Sequence, residues 1–236
     1  MVEQAQKVKG VVDLVFLIDG TGSMAPCIDA LKGNVEVFID GLQGGNLPIR
    51  DWRAKVVGYR DYEADAVPLE DNPFVRDVAV LKSQLRELQP EGGGDDPESL
   101  LDALYKVATM EQSGKGAAED PGRWRYRSEA TRVIIVFSDA SYKPTMALAE
   151  AKGGTLDDVA NALTNGRIFL NCFVPNLPCY VDLSSLDKCE VETFDAVGGS
   201  FQAGLDKLSA DSARFRKVLD QMAKSVSASA EVPPLE

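Results

Sequence analysis

Leu14-Val15-Phe16-Leu17-Ile18-Asp19-Gly20-Thr21-Gly22-Ser23-Met24 decides how this chain is read, because an apolar run breaks there into an acid, two hydroxyls and two glycines. Apolar residues in unbroken succession suit a strand covered on both faces, as parallel strands are, and glycine permits a tight turn just beyond it. Asp19, Thr21 and Ser23 alternate, so a curling backbone can aim all three oxygens at one point. Hard, oxygen-only donors of this kind suit Mg²⁺, Mn²⁺ or Ca²⁺ better than a soft metal.

Working outward, the same pattern of an apolar strand ending in an acid recurs twice. Asp51 to Asp61 carries Trp52, Ala54, Val56, Val57 and Tyr59, and Thr131 to Ser138 is followed by Asp139. Between these strands, apolar residues fall at helical spacing: Ile28, Leu31, Val35, Phe38 and Ile39 in one segment, Leu81, Leu85 and Leu88 in another, Leu100, Leu101, Leu104 and Val107 in a third. Strands alternating with helices predict an α/β, doubly wound (Rossmann-like), mostly parallel sheet with helices on both faces and one antiparallel edge strand. Ligands of such sheets sit outside the carboxyl ends of the strands, where Asp19, Asp61 and Asp139 would converge. Clustered carboxylates repel one another and raise one another's pKa, so a bound cation is the natural way to keep them ionised.

Further elements are expected as a short edge segment at Phe74-Val75, helices over Val78 to Leu88, Lys143 to Ala151 and Leu156 to Leu163, a strand over Arg167 to Val174, and a short last strand within Phe194 to Phe201. A closing helix over Leu208 to Ser225 carries Phe215, Val218, Leu219 and Met222 on one face. Gly92-Gly93-Gly94-Asp95-Asp96-Pro97-Glu98 precedes the Leu100 helix, with Pro97 read as lying just inside the helix start. Residues 1–10 are read as an N-terminal extension, 11–226 as one domain, and 227–236 as a flexible tail.

Composition narrows the chemistry. The 236 residues include no histidine, which removes Ser-His-Asp and Cys-His nucleophile activation and every imidazole metal site. No Gly-Lys-Ser/Thr follows a glycine loop, so a P-loop is absent. A formal charge of −12 argues against nucleic acid as a partner. The run Arg123-Trp124-Arg125-Tyr126-Arg127 could stack on bases, but it is better read as a surface loop whose aromatics dock on the core. Cys27, Cys172, Cys179 and Cys189 form no CxxC pair, and a Cys179–Cys189 bridge is open only in an oxidising compartment. Without a membrane-length apolar run or a signal-peptide start, the expectation is a cytoplasmic protein with no membrane partner.

Asp19-Gly20-Thr21 is similar to part of the Asp-x-Asp-Gly-Thr pattern of haloacid dehalogenase phosphatases, but Leu17 stands at the nucleophile's position. The closer resemblance is to the von Willebrand factor type A domain with its metal-ion-dependent adhesion site. Its Asp-x-Ser-x-Ser motif resembles Asp19-Gly20-Thr21-Gly22-Ser23, and its third-loop aspartate matches Asp139. Asp95-Asp96-Pro97-Glu98 resembles the Asp-x-Pro-Glu loop of integrin beta subunits and many bacterial members. The resemblance implies that Asp19, Thr21, Ser23 and Glu98 hold a divalent cation, Mg²⁺ foremost, while Asp139 acts through a water. It also implies an adjacent cation site from Asp61, Asp95 and Glu98. The integrin acids that follow the first motif are replaced by Ala25, Pro26 and Cys27. The function implied is a non-enzymatic interaction module whose metal accepts a carboxylate from a partner protein. Two alternatives stay open: a hydrolase or phosphatase using Asp61, Asp95 and Glu98 around two cations, and a scaffold subunit with a vestigial site.

Overall fold

The structure is a computed structural model that describes residues 10–44, 49–92 and 96–231. Its centre is a six-stranded sheet in the order β3-β2-β1-β4-β5-β6. β1 (Val11–Asp19), β2 (Asp51–Tyr59), β4 (Thr131–Phe137), β5 (Ile168–Pro175) and β6 (Cys189–Phe194) run parallel, and β3 (Leu69–Asp71) lies antiparallel on the outer edge of β2. The chain winds from β1 outward to β3 and then returns to place β4 on the other side of β1. That reversal opens a crevice beyond the carboxyl end of β1.

Alternation along the strands builds two cores. Val12, Leu14, Phe16 and Ile18 of β1 join Val133, Ile135 and Phe137 of β4 beneath α1 (Ala25–Gln43), α2 (Val78–Glu87), α6 (Phe201–Ala210) and α7 (Ser212–Glu231). Val15 and Leu17 join Ile134 and Val136 on the opposite face, beneath α3 (Leu100–Ala108), α4 (Leu156–Gly166) and α5 (Cys179–Ser184). All of these strand residues are at most 1% exposed, which is why the sequence reads as continuous apolar runs instead of alternation. In register, Asp19 lies opposite Tyr59 and Ile18 opposite Phe137, so the three central strands end level with one another.

At the opposite end of β1, Asp13 is fully buried and ionically saturated. It accepts from Arg53 Nε and Nη2, both at 2.8 Å, from Arg125 Nε at 2.6 Å and from the Arg125 backbone N–H at 2.7 Å. Trp124, also fully buried, donates from Nε1 to the Val107 carbonyl at 3.0 Å. The Arg-aromatic run thus docks on the core, with Trp124 and Arg125 consumed by packing and ion pairing.

Several boundaries differ from the sequence expectation. The antiparallel edge strand is Leu69–Asp71, and Val75 makes only an isolated bridge to Ala54. The expected helix at Lys143 to Ala151 is reduced to a 3-10 turn at Ala149–Ala151. Its residues are instead held by hydrogen bonds to other segments, including two from Ala147 and Leu148 N–H groups to Asp102 Oδ1 in α3. The last strand is Cys189–Phe194, while Phe201 opens α6, whose N-cap Ser200 accepts from the Ala203 N–H. A break at Asp211 separates α6 from α7, which runs to Glu231, past the point where the sequence reading places the tail. Leu100, not Pro97, begins its helix. All four cysteines are free, and the Cys172 thiol lies against Cys189 across adjacent strands.

Candidate functional site

β1 delivers Asp19, fully buried, to the crevice, and the chain turns at once: Gly20 N–H still donates to the Tyr59 carbonyl at 2.8 Å, and a 3-10 turn follows at Gly22–Met24. The turn is held by Thr21 N–H donating to Asp19 Oδ1 at 3.0 Å. It brings Thr21 Oγ1 within 3.2 Å of Ser23 Oγ, and Ser23 Oγ donates to Asp139 Oδ1 at 3.1 Å. Asp19 Oδ2 accepts from Ser138 Oγ at 2.9 Å. The first motif and the end of β4 are therefore joined through their own side chains.

The second loop is stitched to the third by backbone. Glu98 N–H donates to the Ser141 carbonyl at 2.9 Å and Lys143 N–H to the Glu98 carbonyl at 2.9 Å, a parallel bridge centred on Glu98 and Tyr142. Asp96 Oδ1 accepts from Ser141 N–H at 2.8 Å and from Ser141 Oγ at 2.6 Å. On the near side, Glu91 N–H reaches the Gly20 carbonyl at 3.0 Å. Gly92 follows at φ +70°, where a side chain would meet the Asp65 carboxylate at 2.2 Å. Glu98 is thereby carried into the cluster, only 5% exposed, and its Oε2 is buried with no hydrogen-bond partner among the described residues.

The electrostatics follow from this crowding. Burial pushes Glu98 up to about 8, helped by the negative charges of Asp19, Asp61, Asp65 and Asp139. Burial also lifts Asp19 to about 6, with Asp139 adding repulsion against the hydrogen bonds from Thr21 and Ser138. Asp139 is raised chiefly by burial, against the bond from Ser23. An arrangement that raises several carboxylates while orphaning one of their oxygens fits a hard cation. Among the described residues, no group of three or more His, Cys, Asp or Glu side chains is placed to hold a metal ion by itself.

Asp61 is differently placed. Its Oδ1 accepts from Lys143 Nζ at 2.6 Å, from Glu63 N–H at 2.9 Å and from Ser99 Oγ at 3.2 Å. Burial alone would raise it, but these bonds and the Lys143 charge hold it below the ordinary carboxylate value. Asp95 lies outside the described residues. The cluster thus brings together Asp19, Thr21, Ser23, Glu98 and Asp139, with Asp61 beside it and already paired.

Several participants escape sequence reasoning. Ser138, Asp65, Lys143 and Gln202, whose Nε2 donates to the Ser23 carbonyl at 2.8 Å, have no periodic or motif signal. Two positions could have been suspected: Ser138, the residue between β4 and Asp139, and Asp96, which fills the unspecified place in the second-loop motif.

Residues 13–174 match the von Willebrand factor type A domain family. The alpha-protein kinase vwkA of Dictyostelium discoideum is 25% identical over 129 residues, 55% of this chain and 18% of that protein. A putative ariadne-like RING finger protein, R811, of Acanthamoeba polyphaga mimivirus is 31% identical over 91 residues, 39% of this chain and 9% of that protein. The chain thus spans under a fifth of the length of either curated relative. Proximal thread matrix protein 1 from the mussel byssus shares the fold at a TM-score of 0.52 and 14% identity, covering 89% of this chain and 50% of that one.

Proposed function

Because this chain belongs to the von Willebrand factor type A domain family, we propose that it is a protein-interaction module whose binding depends on a divalent cation. Asp19, Thr21, Ser23 and Glu98 are the residues that would hold a Mg²⁺-like ion, and Asp139 the one that would orient a coordinated water. The ion, when bound, supplies an electrophilic position open to a carboxylate from the partner. The chain's own residues do the rest. Ser138 and the Thr21 N–H fix the Asp19 carboxylate, Asp96 ties the second loop to the third, and Gln202 ties α6 to the first.

One observation supports this reading above the others: the buried, unpartnered Glu98 Oε2, set among like charges. A buried carboxylate oxygen left unsatisfied is costly unless something positive completes it. Neutral hydroxyls in the donor set leave part of a dication's charge uncompensated, which favours an anionic ligand from outside. Specificity would then reside in the surrounding loops.

Two measurements test the reading. Mg²⁺ is expected to raise the melting temperature of the wild-type chain and to leave Asp19→Ala unmoved; an identical response in both would defeat the metal site. Recovery of a native partner is expected to fall in chelator and return with Mg²⁺. Equal recovery in both would mean that binding does not use the metal.

A further inference from the structure

We propose that the Lys143 ammonium is a tethered stand-in for a second cation, so that this domain takes one divalent ion where the resemblance implies two. The inference rests on the first ion site proposed above and concerns the acids beside it.

Asp61 is the acid that would have to serve an adjacent ion, and the structure gives it a positive partner already. Lys143 Nζ sits 2.6 Å from Asp61 Oδ1 and 2.8 Å from Glu63 Oε2, bridging two carboxylates as a shared cation would. The same Asp61 oxygen also accepts from Glu63 N–H and Ser99 Oγ, and Ser99 Oγ in turn accepts from Tyr62 N–H at 3.0 Å. Asp61 is therefore oriented toward the ammonium by donors that have no reason to move.

Lys143 is equally committed. Its backbone N–H is fixed to the Glu98 carbonyl at 2.9 Å, so the peptide that carries the ammonium is hydrogen-bonded to the residue that carries the orphaned carboxylate. Its side chain is 18% exposed, lying between the second and third loops instead of trailing into solvent. A lysine in this place is a compact point charge with three donors, able to satisfy several carboxylate oxygens at once. A divalent ion bonds carboxylate oxygen at about 2.0–2.6 Å, so one held by the Asp61 carboxylate would lie close beside the ammonium at Oδ1. Repulsion between the two positive charges, only a few ångströms apart, disfavours binding an ion there while the ammonium stays in place. Asp65, which accepts from the Asp61 N–H at 3.0 Å, extends the acidic surroundings that the lysine partly neutralises.

Mn²⁺ titration of the full chain, followed by electron paramagnetic resonance and calorimetry, tests this. The wild-type chain is expected to bind one Mn²⁺ with the spectrum of an isolated ion. Lys143→Met is expected to keep that ion and gain a second, weaker by about tenfold or more, with the line broadening of a coupled pair. Lys143→Arg is expected to stay at one. Two ions in the wild-type chain, or one in a Lys143→Met variant that still binds the first, would overturn the inference and leave the first site standing. No ion in any form would overturn both. If Lys143→Met loses even the first ion, the wild-type count decides alone, one supporting the inference and two refuting it.

Discussion

Glu98 concentrates the chemistry of the molecule in one side chain. Its folded pKa, pushed up to about 8 from 4.5, means that between these values the folded protein keeps a proton that the unfolded chain has released. Asp19 behaves alike between 3.8 and about 6. Where the folded state binds more protons, stability falls as pH rises, so the metal-free protein should weaken steadily from about pH 4 to pH 8. Melting temperatures in chelator should therefore be lower at pH 8 than at pH 5, and Glu98→Gln should flatten the decline, gaining more than ~1 kcal/mol at pH 8 since each pKa unit is worth about 1.4 kcal/mol. A wild-type profile that rises over this range would contradict the charge crowding. Divalent cation should reverse the trend, because it favours the ionised form of the same groups.

At the scale of elements, two contacts hold the frame that aims these residues. β1 is anchored at its start by Asp13 and at its end by Asp19, and the Asp13 network ties β1 to β2 and to the loop that carries Arg125. Asp13→Asn would leave the buried Arg53 guanidinium without its carboxylate and Arg125 with only its pairs to Asp51 and Glu119, and breaking a buried pair from one side costs about 3–5 kcal/mol. A urea midpoint within error of wild type would show that water or rearrangement satisfies Arg53 and Arg125 instead. The second contact is the seating of α6, where a β-carbon at Gly204 would meet the Asp195 carbonyl at 2.3 Å. Gly204→Ala should lift α6 off the β6 turn, destabilising the fold by ~1–3 kcal/mol through overpacking. Because Gln202 of the same helix reaches the Ser23 carbonyl, the variant should also weaken Mg²⁺ binding, measurable by calorimetry. Unchanged Mg²⁺ affinity in a destabilised variant would uncouple the helix from the loop.

For the molecule as a whole, the ion proposed at the crevice would link the ends of β1 and β4 to the loop that carries Glu98, adding to the sheet pairing that already joins β1 to β4. A ligand that binds only the folded state stabilises it by about 2.7 kcal/mol at a hundred times its dissociation constant. Mg²⁺ should accordingly raise the unfolding free energy with a logarithmic dependence on concentration. The net charge of −12 adds a long-range attraction for cations that salt screens, so Mg²⁺ affinity should fall on going from about 10 mM to 150 mM KCl. An affinity indifferent to ionic strength would mean that the local donors alone set it.

How much of this was legible in the chain depends on the range of the interaction involved. The strands with Asp19 and Asp139 at their ends, the two-faced burial and the helices around Leu31 and Leu104 are local: an unbroken apolar run or a 3.6-residue spacing is decided by the residues themselves, and parallel topology then forces the strand ends to one edge. The same local rules failed where neighbours in space outvote neighbours in sequence. Lys143 to Ala151 has helical composition, but its backbone is taken by Glu98, Asp102 and Gly154 from other segments. Phe74-Val75 has strand composition, but Leu69–Asp71 pairs with β2 in register and leaves Val75 a single bridge. That acids gather at the crevice could be expected from sequence; which of them remains short of a hydrogen-bond or positive partner could not. That was decided by a lysine 82 residues from Asp61, brought to it only when the second and third loops pair, so that Asp61 is satisfied and Glu98 is not.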